Sequence, residues 1–448
     1  MNLKREIGLF GGISILAGIM IGSGIFVFGS LVLHRTGYVT GLSLLAWLIG
    51  GVITLFSALT YGELGTMYPE TGGYYIYLRK AYGRRVAFLS GVMNFVLTSS
   101  GSIALLAVIF SDILFNFVLQ AGNYWLIRLV AALAIIVLTL INYIGVKLGS
   151  LVQKIFLVAK VIPIIAIIFI GLFMGTEPVS LSLAPSSSVG FFGFFLLIGY
   201  AVVGTLWAYE GWTNLNTVTG EMKNVGRDLP RALLFATGLV TLLYVLFIFA
   251  LYRILNQATL EAMGADGYLP IAAMMTLFGQ GGMLFVLIAV LVSVFGALNG
   301  TVMVFPRVYY AMAEDGTFFK PFKTLHPRYQ TPSVALLGSG LMALVLIFFN
   351  VEQLLTFVVF GGLVFNTLIF ISVFLFRKRH PELPRPYKVW GYPVVPAVAI
   401  IGMVMLLVAT LVESLVPSLI GAAVILAGYL IYPHVFKSTP KDDAPSNR

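Results

Sequence analysis

Ile21-Gly22-Ser23-Gly24-Ile25 interrupts the first long apolar segment of the chain with two glycines around a small hydroxyl residue. A second stretch, Gly204-Thr205-Leu206-Trp207-Ala208-Tyr209-Glu210-Gly211, interrupts the sixth. A helix in lipid satisfies its own backbone, and an unwound stretch is tolerated only inside protein or beside a water-filled cavity. Two such breaks, each opening one half of the chain, therefore predict a ligand site near the middle of a membrane.

The composition is that of an integral membrane protein. Of 448 residues, 59% are hydrophobic and 10% are charged, whereas soluble domains carry about 25% charged residues. The chain has no cysteine, which excludes disulfides and thiolate chemistry. Its four histidines lie at segment ends or in loops, so no metal site and no cofactor is predicted. The net charge of +10 is interpreted as topology-determining basic residues facing a lipid bilayer, and not as a nucleic-acid surface.

Apolar runs of about 20 residues are long enough to cross a bilayer. Runs of this kind predict an all-α fold with twelve transmembrane helices. They cover residues 7–33, 40–67, 87–119, 125–145, 148–174, 192–222, 231–254, 279–312, 332–349, 353–376, 392–412 and 415–435.

The distribution of lysine and arginine predicts the orientation. Most basic residues fall in loops on one side, which by the positive-inside rule is cytoplasmic. We therefore expect a multi-pass protein of the plasma (inner) membrane, with an uncleaved first span and both termini cytoplasmic. The polar tail, residues 437–448, has a composition typical of disorder.

The two breaks also predict an internal repeat. Spans 1–5 and 6–10 can be superposed with opposite orientation, because five is an odd number and each set opens with a broken helix. The predicted units are residues 1–174, 175–380 and 381–436, followed by the tail. The third unit, spans 11 and 12, lies outside the repeat.

The first break has the chemistry of a carboxylate site. Its glycines let the backbone unwind at low steric cost, and unwinding exposes N–H groups at the positive end of the next half-helix. The alternative is close helix packing through small residues.

The second break combines aromatic residues with an acid. Trp207 and Tyr209 can cover a side-chain pocket, and exposed carbonyls can accept from an ammonium group. Trp212 is better interpreted as a packing residue. Glu210 is unusual, because an acid at membrane depth is costly and by default functional. A structural or gating role, direct contact with an ammonium group and proton carriage all remain open for Glu210.

Lys160 lies deep within the fifth span, one turn before Pro163. At that depth it cannot easily extend to the interface, unlike Lys154. A buried ammonium can act as a fixed positive charge or release a proton. It can also simply pair with carbonyls as a packing residue.

Segments rich in glycine, proline, aromatic residues and charge are predicted to anchor an inner gate. Glu63 is expected near the same side. These segments are Pro69–Leu78, Gly220–Asn224, Pro306–Gly316 and Arg385–Lys388.

With these motifs, the chain resembles the L-amino acid transporter (LAT) family of the amino acid–polyamine–organocation (APC) superfamily, especially its bacterial members. The motifs span about residues 5–400 and are specific in combination. They are Ile21–Phe26, Pro69–Leu78, Lys160 with Pro163, Ala208-Tyr209-x-Gly211-Trp212, Glu221, Leu229-Pro230, Ser293–Gly300, Pro306-Arg307, Thr331-Pro332 and Arg385–Tyr387.

The resemblance implies a five-plus-five inverted repeat, the leucine-transporter-like fold, with helices 1 and 6 broken. It implies that the Gly22–Gly24 backbone binds a substrate carboxylate and that carbonyls near Trp207 to Glu210 bind the amino group. The implied binding residues are Ile21, Gly22, Ser23, Gly24, Ile25, Trp207, Ala208, Tyr209, Glu210 and Gly211. Trp207 matches the outer gate, a position usually held by phenylalanine.

The resemblance further implies a coupling group. Lys160 matches a lysine that fills the place of a sodium ion in sodium-coupled relatives, with Tyr244 and Ser293 near it. This suggests a transporter, not an enzyme, that exchanges neutral L-amino acids independently of sodium, with small ones such as alanine and serine as substrates.

Proton-coupled symport, with Lys160 or Glu210 as carrier, is the closest alternative to exchange, whereas a channel or an intramembrane enzyme lacks supporting motifs. Eukaryotic relatives bind a glycoprotein partner through a cysteine, so a chain without cysteine predicts no disulfide-linked partner.

Overall fold

The structure is a computed structural model that describes residues 5–119, 122–185, 190–265 and 267–435. The predicted tail, residues 437–448, lies outside this range. Seventeen α-helices run through the described part, which confirms the all-α prediction. They are α1 (Leu9–Met20), α2 (Gly24–Arg35), α3 (Thr40–Met67), α4 (Tyr74–Tyr82), α5 (Arg84–Met93), α6 (Ser99–Asp112), α7 (Tyr124–Ile144), α8 (Val146–Met174), α9 (Phe191–Ala208), α10 (Val225–Tyr252), α11 (Gln257–Ala262), α12 (Leu269–Val304), α13 (Pro306–Glu314), α14 (Ser333–Leu346), α15 (Val351–Arg379), α16 (Val394–Glu413) and α17 (Leu415–Val435).

The long apolar helices make this a polytopic membrane protein. Within the described residues, nine helices are long and apolar enough to span a bilayer, and the bent pair α1 and α2 makes a tenth. The shorter helices α9 and α14 occupy the positions of predicted spans 6 and 9. Because α14 has only 14 residues, the full count of twelve stays a prediction.

The predicted break in the first span is confirmed. Helix α1 ends at Met20, α2 begins at Gly24, and their axes differ by 51°. At the break the N–H of Gly22 turns back to the Met20 carbonyl at 2.8 Å, instead of continuing the helical ladder.

The second break lies further along the chain than the sequence predicted. Gly204 is helical and packs near Val32 and Arg35, so the prediction that the interruption starts there is wrong. Helix α9 ends at Ala208, and turns lead into a 3₁₀-helix at Asn214–Glu221. A glycine that permits unwinding can equally permit close packing of helices, and Gly204 does the latter. Gly211 has φ +118°, a value that glycine adopts readily.

The order of the helices supports an inverted arrangement of two halves. A short helix follows the second span of each half: α4 after α3, and α11 after α10. Five predicted spans separate α4 from α11, so the prediction places them on opposite sides of the membrane. The exact limits of the three units remain predictions.

The broken helices lie at the centre of the molecule. Helix α3 is mostly buried, whereas α7, α8 and α17 expose apolar side chains such as Leu129, Ile155 and Leu430, as expected of lipid-facing helices. The segment before α1 pairs with the chain after the second break. Ile7 donates its N–H to the Glu221 carbonyl and accepts from the Lys223 N–H, each at 2.9 Å. The two broken spans are therefore joined at one end.

Candidate functional site

A cavity of about 190 Å³ lies where the two breaks meet. Gly22, Ser23 and Gly24 line it from the first break. Residues of both breaks thus border one small space. The second break contributes Ala208, Glu210 and Gly211.

Lys160 binds the carbonyls of the first break. Its fully buried ammonium donates to the carbonyl oxygens of Gly18 at 2.7 Å and Ile21 at 2.6 Å, and to that of Ser293 in α12 at 2.9 Å. An ammonium has three hydrogens to donate, so all three are used. Lys160 therefore connects the unwound part of the first span to α8 and α12.

Two side-chain hydroxyls also donate hydrogen bonds to the carbonyls around the first break. The buried Ser293 hydroxyl lies 2.9 Å from the Ile21 carbonyl oxygen and 3.1 Å from that of Gly22. The Tyr244 hydroxyl lies 3.0 Å from the Met20 carbonyl oxygen and 3.3 Å from that of Ala208. Tyr244 thus touches both breaks, and the carbonyl oxygens around the first break are occupied.

The backbone N–H groups at the start of α2 differ from these carbonyls, because several of them have no hydrogen-bond partner among the described residues. Phe26 and Val27 donate to the Ser23 carbonyl at 3.0 and 3.2 Å, whereas no side chain caps the start of α2. Within the described part of the chain, the N–H groups of Ser23, Gly24 and Ile25 have no acceptor. The first N–H groups of a helix lack intrahelical partners and form a natural anion site.

Not every predicted binding residue directs its side chain to the cavity. The side chains of Ile21 and Ile25 are fully buried and do not line it, so only their backbone can serve. Tyr209 is also buried away from the cavity, and its hydroxyl donates to the Trp47 carbonyl at 3.0 Å. Its ring packs against Trp47 and Tyr244, with centroids 6.0 and 5.0 Å away.

The two breaks touch without intervening side chains. A Cβ added at Gly24 would lie 2.6 Å from the Ala208 Cα, and one at Gly211 would lie 2.9 Å from the Ile19 side chain. Gly22 is less crowded, since its nearest neighbours would be 3.8 Å away. Gly24 and Gly211 are therefore the glycines that permit close contact.

Glu210 faces open space. Its side chain is exposed and lines the main cavity, and it also lines a smaller space of about 20 Å³ with Gly362 and Asn366 of α15. The predicted gate, the side chain of Trp207, lies outside the part of the structure that is described; its backbone belongs to the last turn of α9.

Several cavity residues were missed in the sequence analysis. Asn94, Thr98, Ser99 and Ser102 line one wall from the third span, and Tyr74 lines it from α4. The polar run Thr98-Ser99-Ser100-Gly101-Ser102 inside an apolar segment was an available signal. Tyr74 lies in the segment Pro69–Leu78, which was assigned to the inner gate and not to the cavity.

The segments predicted to form an inner gate come together through ion pairs. Glu63 binds Arg377 at 2.6 Å, and Glu221, just after the second break, binds Arg307 of α13 at 2.8 Å with both side chains buried. Asp315, after α13, pairs with an arginine of α4. The Glu221–Arg307 pair ties the chain after the second break to α13 at the end joined to Ile7, and the other two pairs join α3 to α15 and α13 to α4.

Comparison with known proteins agrees with this geometry. The model of the amino acid permease family matches residues 7–435. The serine/threonine exchanger SteT of Bacillus subtilis is 35% identical over 96% of this chain and 97% of its own length. The human b(0,+)-type amino acid transporter 1 is 32% identical over 96% of this chain and 88% of its own length. The murine large neutral amino acids transporter small subunit 2 is 32% identical over 96% and 81%.

These matches cover the breaks, Lys160 and the inner ion pairs together, and they confirm the resemblance to bacterial L-amino acid transporters of the APC superfamily. The relatives are transporters or exchangers, not enzymes. The chain is a membrane protein of the amino acid permease family.

Proposed function

We propose that this permease exchanges small neutral L-amino acids across the plasma (inner) membrane, without sodium, by alternating access. One observation carries the proposal: the carbonyls around the first break are taken by Lys160, Ser293 and Tyr244, while the adjacent N–H groups remain open beside the cavity. The site therefore offers donors to an anion at one end.

The carboxylate of an amino acid fits the first break. The N–H groups of Ser23, Gly24 and Ile25 can donate to it, and the dipole of α2 adds positive potential. Gly22 and Gly24 keep side chains out of the way. Ser23 is partly exposed at the cavity, so its hydroxyl can donate a further bond.

The ammonium group fits the second break. Helix α9 ends at Ala208, and the last carbonyls of a helix have no intrahelical partner. Tyr244 takes the Ala208 carbonyl and the Gly211 carbonyl accepts from Asn214, which leaves carbonyls between Trp207 and Glu210 to accept from the substrate. In this proposal Glu210 supplies a compensating negative charge and Trp207 is the gate.

Lys160 supports independence from sodium. Unwound carbonyls in transporters of this architecture can coordinate sodium, and here an ammonium lies among three carbonyl oxygens at 2.6–2.9 Å. A fixed charge that already neutralises these dipoles makes a sodium ion unnecessary.

The size of the cavity supports a small substrate. At about 190 Å³ it falls below the roughly 300–1,000 Å³ typical of pockets for drug-sized ligands. The serine/threonine exchanger among the relatives supports both exchange and small substrates such as serine and alanine.

Proton-coupled symport is the second candidate, because the Glu210 carboxylate faces the cavity. An acid in this position can carry a proton with the substrate. Exchange and symport make different predictions for a vesicle that contains no internal amino acid.

The test is counterflow in proteoliposomes. We expect uptake of labelled L-serine or L-alanine to require an unlabelled amino acid inside, and to be the same with or without sodium and a proton gradient. Symport would be favoured over exchange if an inward proton gradient drove uptake into empty vesicles and Glu210→Gln abolished that uptake. Loss of uptake on sodium removal would refute the role of Lys160.

A further inference from the structure

Three neighbouring residues of the cavity wall carry polar side chains that the proposed function does not use. They are Tyr74, Asn94 and Ser99, and we call these three residues the cavity floor. All three are almost fully buried, and Tyr74 is 8% exposed. Polar groups at such depth normally have hydrogen-bond partners, so the partners of each group indicate what the floor can bind.

A tight turn brings Tyr74 to the floor. Gly72 and Gly73 have φ +119° and +46°, which other residues rarely adopt. The Gly72 N–H donates to the Thr217 carbonyl at 3.0 Å, and a Cβ at Gly73 would lie 2.9 Å from the Asn216 backbone. The turn is thus pressed against the 3₁₀-helix after the second break, and the next residue enters the cavity wall.

A turn of π-helix brings Asn94 and Ser99 to the same place. It covers Asn94–Thr98 within the third span, and such turns are rare and often found at functional sites. The Asn94 amide donates to the Ser90 carbonyl at 2.9 Å, and the Ser99 hydroxyl donates to the Asn94 side-chain oxygen at 3.0 Å. Ser99 therefore keeps lone pairs that can accept.

The Tyr74 hydroxyl is the group of the floor whose hydrogen bonding is incomplete. It is buried at the cavity beside the Ser99 hydroxyl, without a well-directed hydrogen bond to the described residues. Tyr309 has a similar hydroxyl beside the same serine, also without a well-directed hydrogen bond within the described chain, but it does not line the cavity. The floor thus places a hydroxyl donor, Tyr74, next to a hydroxyl acceptor, Ser99, and a ligand hydroxyl can bind between them.

We propose that Tyr74, Asn94 and Ser99 form a subsite for a side-chain hydroxyl, so that serine and threonine bind better than alanine. The inference rests on the proposed function, since the breaks must hold the main chain of the substrate. A hydroxyl both donates and accepts. It can accept from Tyr74 and donate to Ser99, with Asn94 holding Ser99 in orientation.

Charge and space favour a neutral hydroxyl over larger or ionised groups. Glu210 is the one charged side chain among the described residues that line the cavity. A carboxylate at the floor would therefore lack a positive partner. A long side chain would have to share about 190 Å³ with the main chain bound at the breaks.

The test compares Tyr74→Phe with Tyr309→Phe. Both remove one buried hydroxyl, but only the first belongs to the floor. Binding of labelled L-serine and L-alanine is measured on the purified full-length protein in detergent. We expect the wild type to bind serine about three- to tenfold more tightly, the ratio that one net hydrogen bond provides. Tyr74→Phe should bring the ratio near one, and Tyr309→Phe should keep it.

Ser99→Ala is the second variant and should also bring the ratio near one. A wild type that binds both amino acids equally would overturn the inference, as would an unchanged ratio in Tyr74→Phe or an equal loss in Tyr309→Phe. Binding is measured apart from transport. A ratio that falls as expected in a protein that fails counterflow would uphold the subsite and refute exchange.

Discussion

Replacing Lys160 with methionine tests the centre of the proposed mechanism. Methionine keeps the length of the side chain but removes its three donors. Ile21 keeps the Ser293 hydroxyl on its carbonyl, and the Ser293 carbonyl lies within α12, where the helical ladder can serve it. The Gly18 carbonyl has no such replacement, because its helical donor, the N–H of Gly22, is bonded to Met20.

The expected magnitude follows from these partners. A hydrogen bond to a charged group is worth about 1.5–3 kcal/mol, and a stranded buried acceptor costs about 1–3 kcal/mol. Two of the three acceptors keep other donors. We therefore expect the substitution to destabilise the binding-ready conformation of the first break by about 2–4 kcal/mol relative to other conformations. At 1.4 kcal/mol per factor of ten, the binding-ready population falls roughly thirtyfold to several hundredfold. Apparent affinity falls by the same factor.

The assay is L-serine counterflow in proteoliposomes, with apparent KM and rate compared between variants. Lys154→Met is the matched control, since Lys154 lies on the same helix but is exposed. We expect it to behave as wild type. Thermal unfolding in detergent reports whether Lys160→Met remains folded. A folded Lys160→Met with rate and KM within threefold of the control would refute the reasoning.

Three further variants test the contacts around the breaks. Gly24→Ala puts a Cβ against the Ala208 backbone; overpacking costs about 1–3 kcal/mol, and serine counterflow should fall about tenfold. Arg307→Met leaves the buried carboxylate of Glu221 unpaired. We expect it to lower the free energy of unfolding by about 3–5 kcal/mol, with much of the loss recovered by adding Glu221→Gln. Tyr244→Phe removes the one hydroxyl hydrogen that the carbonyls of the two breaks share and should raise the apparent KM for serine about tenfold; an unchanged KM would contradict its bridging role.

The sequence located the first break well because its cause is local. Two glycines around Ser23 in an apolar run lower the steric cost of unwinding the backbone, and the structure interrupts the helix there. The second break was misplaced at its start, because Gly204 and Gly211 look alike in sequence. Only the three-dimensional neighbours distinguish a glycine that packs from one that turns.

The residues that complete the site could be predicted only in part. Lys160 was conspicuous as a charge at membrane depth, but its three acceptors are 133–142 residues away in sequence. Tyr74 lies outside the predicted spans and reaches the cavity through a turn docked on the 3₁₀-helix. Such placement depends on packing between distant segments, which periodicity and composition do not encode.

The first break offers backbone N–H donors and the second offers backbone carbonyl acceptors. This difference gives a physical reason for the proposed exchange of substrates. Lys160, Ser293 and Tyr244 remove carbonyls from the first break and leave N–H donors, while the end of α9 leaves carbonyls. In an open cavity, water can satisfy both sets. When the cavity closes, unpaired groups cost about 1–3 kcal/mol each unless a carboxylate and an ammonium group replace the water. Closure around an amino acid is therefore much less costly than closure of the empty site. On the proposed function, we expect the empty carrier to return slowly for the same reason, so that each outward passage is coupled to an inward one.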